Sequence, residues 1–542
     1  MSYRNYHKLK ALVIDDFDNF RKTLMKMLES FGVKEILSSV SGPDTIQLCR
    51  ENDFDLILCD YNLGNGQNGQ QILEELRYRK ILSRKTLFLI VSAESSRSII
   101  MAAYDYEPDS YLTKPISGRS LQQRLDHLLK QRDIMLPIYK AIDKNENNFA
   151  ISQLNKQILA NNRSSSLCQK VLGELYLSNG EWDLASVVYK EVLEERELEW
   201  ARVGMARVMS AKNDSETAKQ ILKDVLEKNP FCMQAYDVLA EIYSSRDEFE
   251  ALEGVLRDAV TQSPIAILRQ ERLANVAQEI NDIETAVLAF RQTVKLGNHS
   301  CHNKVENHLN FGRVASSLVS QNKNVDESIP QEAFQTLKNI GKIFKLDDAK
   351  SLQALLVKTQ LFASTGNKNA ADELLESARE SLDNAALSDD VDTHLDLVAA
   401  LRATGQHENA SALLEKLVKK YKDNQSALQK IDHYLDEPVS DRNVAKVGAI
   451  NKEGIGHYEQ RRFSEAVDCF ASAERMFPRH VGIKLNFVQA IEGSLNSGVE
   501  SDSLLKNAQD ALLKVKKYIS NEHSEYSRFL QLQEMLKARS VS

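Results

Sequence analysis

Five polar residues in the first 115 positions share one setting, because each follows directly on a short apolar run. Asp15 and Asp16 come after Ala11-Leu12-Val13-Ile14, and Asp60 after Leu56-Ile57-Leu58-Cys59. Ser92 comes after Leu87-Phe88-Leu89-Ile90-Val91, and Lys114-Pro115 closes Tyr111-Leu112-Thr113. Three carboxylates, a hydroxyl and an ammonium, if brought together, suit a hard divalent cation and a phosphoryl group.

The runs themselves say how such groups would meet. Short stretches rich in Leu, Ile and Val read as strands of a parallel sheet covered on both faces. Helix-like segments separate them, so the order is βαβα and the class is a doubly wound α/β sheet. Ligands of such sheets sit outside the carboxyl ends of the strands, at the switch point in strand order. All five residues fall at predicted strand ends.

Taken in this order, residues 8 to about 130 resemble the receiver domain of a two-component response regulator, with the chemotaxis regulators as the nearest pattern. The resemblance implies a flavodoxin-like five-stranded parallel sheet and a set of roles. Asp60 matches the phosphoacceptor, and Asp15 and Asp16 match the acidic pair that holds Mg²⁺, joined by Asp60 and the backbone carbonyl of Asn62. Lys114 matches the family lysine, ahead of a cis bond to Pro115. Ser92 matches the switch hydroxyl and Tyr111 the rotating aromatic. A carboxylate nucleophile beside Mg²⁺ would attack a phosphohistidine and become an aspartyl-phosphate. Asn62 and Glu94, each two residues past a site residue, are small polar groups able to orient an attacking water, which implies a short-lived phosphate. The loop after Asp60, Tyr-Asn-Leu-Gly-Asn-Gly-Gln-Asn-Gly, is one residue longer than is usual in the family and lacks its Met-Pro.

At 542 residues the chain exceeds what one core supports, so further domains follow. A net charge of −8 argues against a broad basic surface for nucleic acid. No run approaches the 18 or so apolar residues of a membrane span, and six scattered cysteines fit a reducing interior, so the expected location is cytoplasmic. His299, Cys301, His302 and His308 are metal-ligating types close in sequence, but no second pair follows at finger-like spacing, and a polar loop between helices is the expected reading.

From about residue 166 the chain repeats every 33–34 residues. Gly173, Ala206, Ala240 and Ala274 fall in one register, and Tyr189, Leu222, Leu256 and Phe290 in another. Gly454, Tyr458, Ala466, Phe470, Ala473 and Pro478 make the fullest copy. The pattern resembles the tetratricopeptide repeat, an all-α helical solenoid in which small residues let helices touch and large ones fill the gaps. Residues 325–350 and 434–446, with Pro330 and Pro438, read as irregular breaks. Asn213, Lys219, Arg246 and Arg291 are candidates for a binding groove, although an exposed helix face predicts the same residues. The expected division is 1–130 receiver, 131–300 repeats, 301–446 degenerate repeats and 447–542 C-terminal repeats. Leu121, Leu125, Leu128 and Leu129 continue at helical spacing toward Ile138 with no flexible tether, so the last receiver helix should feed directly into the first repeat.

These features describe a response regulator phosphorylated by a histidine kinase or phosphotransfer protein, with an unidentified target protein bound by the repeats. No DNA-reading motif and no enzymatic motif is visible after the receiver. The competing expectations are a constitutive scaffold with a non-signalling receiver and a regulator of an unrecognised enzymatic output.

Overall fold

The computed structural model describes residues 5–93, 108–160, 164–321, 325–382, 390–498, 501–517 and 519–541. The chain forms two compact units, one of Met1–Leu273 with Gln292–Lys304 and one of Ala274–Arg291 with Val305–Ser542.

The first unit begins with five parallel strands, β1 (Lys10–Ile14), β2 (Glu35–Ser39), β3 (Leu56–Asp60), β4 (Leu87–Ser92) and β5 (Ser110–Thr113), in the order β2-β1-β3-β4-β5. Strand alternation divides the core between two faces. Ala11, Val13, Leu56, Leu58, Leu87 and Leu89 pack with Leu24 and Leu28 of α1 (Asp18–Phe31). Leu12, Ile14, Ile57, Cys59, Phe88 and Ile90 pack with Ile46 of α2 (Gly42–Glu51) and with Ile72, Leu73 and Leu76 of α3 (Gly69–Tyr78). The order reverses between β1 and β3, and that crevice is where Asp15, Asp16 and Asp60 emerge.

Gly69 sets how α3 meets the sheet. A Cβ there would stand 2.3 Å from the Asp60 carbonyl oxygen, so only glycine lets the helix start against the end of β3. Asn68 and Gln71 complete a reciprocal capping box at the same point.

One helix, Gly118–Asp143, joins receiver and repeats. Its Leu121, Leu125, Leu128 and Leu129 belong to the sheet core, and its Met135, Ile138 and Ala141 to a second core with Ala150, Leu154, Cys168 and Leu172. The direct connection expected from the sequence is present, and residue 130 lies inside this helix rather than at a break.

Beyond it, two-helix repeats follow at 165–195, 199–228 and 233–262 in the first unit, and at 305–343, 348–382, 391–420, 441–476 and 481–516 in the second. Helices Ile267–Glu279 and Ile283–Gly297 lie where the two units divide the chain. The small-against-large rule holds closely, since a Cβ at Gly173 or Gly204 would come within 2.6 or 2.4 Å of the Tyr189 ring, and one at Gly454 within 2.5 Å of Phe470.

Residues 325–350 are not a break. Ser328–Ile343 is a regular helix with Ile329, Ala333, Leu337 and Ile340 buried at helical spacing. Pro330 sits in its first turn, where no intrahelical bond from the missing N–H is required. Residues 433–440 do depart from helix, and a buried carboxylate holds them. Asp432 accepts from Val439 N–H (2.7 Å), from Asn443 Nδ2 (2.9 Å) and from the Ser440 hydroxyl.

Candidate functional site

The sheet delivers the five polar residues to one edge. Asp15 is fully buried and Asp60 is 8 % exposed, whereas Asp16 faces solvent. Oxygens of Asp15, Asp16 and Asp60 lie within 4.8 Å of one another. Lys114 Nζ stands between two of them, 2.9 Å from Asp60 Oδ2 and 3.1 Å from Asp15 Oδ2, with the Phe20 ring centroid 4.1 Å away. The Lys114–Pro115 bond is cis. Backbone hydrogen bonds fix the frame, as Phe17 N–H donates to Asp15 Oδ1 (2.8 Å) and Lys114 N–H to the Ser92 carbonyl (2.7 Å).

Burial pushes the Asp60 carboxyl above the usual carboxylate range. Lys114 and the Asn62 N–H oppose the shift, and the neighbouring Asp15 reinforces it. Lys114 pairs with Asp15 and Asp60 while Asp16 lies alongside them, and the excess negative charge among oxygen donors fits a hard divalent cation such as Mg²⁺.

Ser92, buried, ends β4 beside Val91, which pairs in register with Asp60. Tyr111 on β5 is partly buried and packs against the core that contains Ile90. Asn62 is exposed, in the loop between β3 and α3. Glu94 lies outside the described residues. The structure thus brings Asp15, Asp16, Asp60 and Lys114 into contact and sets Ser92 and Tyr111 on the two strands beyond them.

A second contact region was not legible in the sequence. One face of α3 and the loop before it meet residues 298–303. Gln67 Nε2 donates to the His299 carbonyl (3.1 Å) and Gln71 Nε2 to the Asn298 carbonyl (3.1 Å). Glu74, 4 % exposed, accepts from the Ser300 hydroxyl (3.2 Å) and lies 3.1 Å from His302 Nε2, and Tyr78 packs edge-on against the His302 ring at 5.3 Å. Cys301 and Glu74 raise the His302 imidazole to about 9. Residues 67, 71, 74 and 78 are spaced like one helix stripe, but their partner is more than 200 positions away, and no local pattern announces it.

The four groove candidates have other work. Asn213 holds a left-handed turn (φ 64°), as Asp247 and Asn281 do in following repeats. Lys219, 7 % exposed, pairs with Glu248 (2.9 Å) and lies over the Tyr243 ring. Arg246 pairs with Glu248 (3.3 Å) and Arg291 with Glu332. His308 is core, 2 % exposed, edge-on to Phe344 at 5.1 Å, with burial pushing its imidazole down to about 4. In the second unit a cleft of about 590 Å³ is lined by residues of both signs, including Lys350, Asp392, Lys430 and the Arg313–Asp396 pair (2.7 and 2.6 Å).

Residues 11–126 match the family described as the response regulator receiver domain. Over 123 residues the chain is 25 % identical to chemotaxis protein CheY-3 of Vibrio cholerae serotype O1, covering 23 % of this chain and 93 % of that protein. It is 24 % identical to chemotaxis protein CheY of Pseudomonas aeruginosa, over 23 % of this chain and 98 % of that one. Among solved structures, the C-terminal part of a TPR repeat-containing protein from Cytophaga hutchinsonii aligns with 46 % of this chain and 99 % of its own, at 12 % identity and a TM-score of 0.32. Residues 11–126 form a receiver domain, and a region of two-helix repeats follows it.

Proposed function

We propose that Asp60 accepts a phosphoryl group and that the helical repeats convert the event into altered binding of a target protein. The observation that carries this reading is the Lys114 ammonium held between Asp60 and Asp15, with Asp16 alongside, at the switch point of the sheet. A carboxylate oxygen of Asp60 attacks phosphorus, the donor's phosphorus–nitrogen bond breaks, and an aspartyl-phosphate forms. Asp15, Asp16 and Asp60, with the Asn62 carbonyl, would hold Mg²⁺, which would supply charge neutralisation for that transfer. Lys114 pairs with the new phosphoryl oxygens. The Ser92 hydroxyl moves toward them, and Tyr111 turns into the space left behind. Asn62 and Glu94 guide the water that later removes the phosphate.

The donor is a histidine kinase or phosphotransfer protein, since phosphohistidine is the donor chemistry that an aspartate of this kind receives. The readout is binding of a protein rather than catalysis. The mixed-charge cleft of the second unit suits a polar segment of a target. Six free cysteines support a reducing, cytoplasmic setting, and among the described residues no helix is long and apolar enough to cross a membrane.

Two connections can carry the signal out of the receiver. The helix Gly118–Asp143 is shared by both cores, and the loop that begins at Asp60 ends on Gln67, which bonds to the His299 carbonyl. A constitutive scaffold would share these connections but would leave the charge cluster unexplained. The test is labelling by phosphoramidate. Wild type should take up one phosphoryl group only with Mg²⁺, and Asp60→Ala should take up none. Labelling of that variant at the wild-type level would overturn the reading.

A further inference from the structure

We propose that Glu74, Cys301 and His302 form a binding site for a borderline-soft divalent cation, zinc foremost, which fastens α3 to the loop at 298–304. The site lies apart from Asp60 and does not depend on phosphorylation.

The ligand set comes first. A carboxylate oxygen, a thiol sulfur and an imidazole nitrogen lie within 4.8 Å of one another. Mixed O, S and N donors select zinc over Mg²⁺, which prefers oxygens alone. Two ligands on one tetrahedral zinc, each bound at about 2.0–2.1 Å, stand about 3.3 Å apart. Glu74 Oε1 and His302 Nε2 are 3.1 Å apart without metal, so the pair is already near ligand spacing.

The second argument is the setting of Glu74. It is almost completely buried, and its Oε1 faces His302 Nε2 at 3.1 Å, an ion pair rather than a well-formed hydrogen bond. Its other oxygen accepts from the Ser300 hydroxyl, and that hydroxyl also accepts from the His302 backbone N–H at 3.1 Å. One carboxylate oxygen is therefore oriented by a neighbour while the other points at a second candidate ligand atom, an arrangement like that around protein-bound zinc. Tyr78, edge-on to His302, fixes the ring plane.

Charge is the third. A buried carboxylate needs a cationic partner, either the His302 imidazolium or a metal ion. A dication with one carboxylate, one thiolate and a neutral imidazole gives a neutral site, and the Cys301 thiol proton and the His302 imidazolium proton both leave to solvent on binding. Three protein ligands leave a fourth position for water. The competing arrangement is a carboxylate–imidazolium pair in which Cys301 takes no part, and the role of sulfur separates the two.

The test uses the metal-free full-length protein with Co²⁺ as a spectroscopic probe and Zn²⁺ as competitor. One equivalent of Co²⁺ should give an intense sulfur-to-cobalt charge-transfer band in the near ultraviolet, erased by one equivalent of Zn²⁺. Cys301→Ser should abolish the band and Glu74→Gln should weaken binding by about tenfold or more, while Asp60→Asn should leave it intact. A measurement on wild type guards against misfolded variants. Zn²⁺ should slow alkylation of Cys301 by about tenfold or more and leave Cys232 and Cys469 unchanged. Absence of a charge-transfer band, its survival in Cys301→Ser, or equal alkylation of Cys301 with and without zinc would each overturn the proposal.

Discussion

Replacing Asp60 by asparagine should make the receiver more stable, not less. The side chain lies 2.9 Å from the Lys114 ammonium, an attraction of nearly 6 kcal/mol at an effective dielectric of about 20. Against it, an Asp15 oxygen lies within 4.8 Å of an Asp60 oxygen, a repulsion of at least about 3.5 kcal/mol on the same scale. Exposed Asp16 adds a smaller, screened term. The Coulomb terms thus largely offset one another. Burial tips the balance, because it is the largest influence on this carboxyl and its net shift is upward. The fold therefore prefers a neutral group here. Asparagine provides one, and Lys114 keeps Asp15 at 3.1 Å. The expected gain is about 1 kcal/mol, typical when a functional charge is removed.

The sign has a pH signature. A carboxyl whose pKa is higher in the fold than in the unfolded chain takes up a proton on folding, so its contribution to stability rises as pH falls through the folded value. The gap between variant and wild type should close toward acid, and Mg²⁺ should narrow it at neutral pH. Hydrogen exchange of β3 and β4 amides in the full-length protein, with EDTA and then Mg²⁺, measures the effect locally. Protection in Asp60→Asn equal to or below wild type in EDTA at neutral pH would refute the reasoning.

Gly69→Ala should cost about 1–3 kcal/mol in the receiver and slow phosphorylation, because the added methyl meets the Asp60 carbonyl oxygen at 2.3 Å; β3 exchange and phosphoramidate labelling would show both. Gln67→Ala removes the bond to the His299 carbonyl without touching the cap of α3, and at about 0.5–1.5 kcal/mol should raise exchange in residues 298–304 while leaving the rate of Asp60 labelling unchanged. His308, neutral in the core near Phe344, should make the second unit acid-sensitive. Its pKa falls from 6.5 to about 4 on folding, so the unfolded chain protonates first. Stability is full above about pH 6.5 and declines by up to about 3 kcal/mol as pH falls toward 4. Urea titrations of wild type and His308→Phe across that window should diverge in slope against pH.

What was legible in the sequence follows physical range. Strand ends, the polar residues on them and the period of the repeats are local patterns, and Asp15, Asp16, Asp60 and Lys114 converge because sheet order forces them together. Lys219 and Asn213 read as an exposed helix face or as candidates for a groove, because charge and polarity suggest exposure. In the fold one is a buried tie to Glu248 and the other supplies a left-handed turn, and neither role changes residue type. Pro330 reads as a breaker because its place in the first turn is unknown until the helix start is fixed. Glu74 sits in a stretch that looks solvated, Glu-Glu-Leu-Arg-Tyr-Arg-Lys, and its burial depends on a loop that only tertiary structure brings to it. Gly69 carried no signal beyond being a glycine after a turn, yet it sets the distance between α3 and the phosphoacceptor strand.

The central claim is that phosphorylation of Asp60 is felt in the helical repeats. Hydrogen exchange on the full-length protein, with Mg²⁺ and with or without phosphoramidate, tests it most directly. The account predicts altered protection in residues 61–68, in 298–304 and along 118–143, all absent from Asp60→Asn treated alike. Stoichiometric phosphorylation of Asp60 with protection unchanged everywhere beyond the receiver sheet would contradict it.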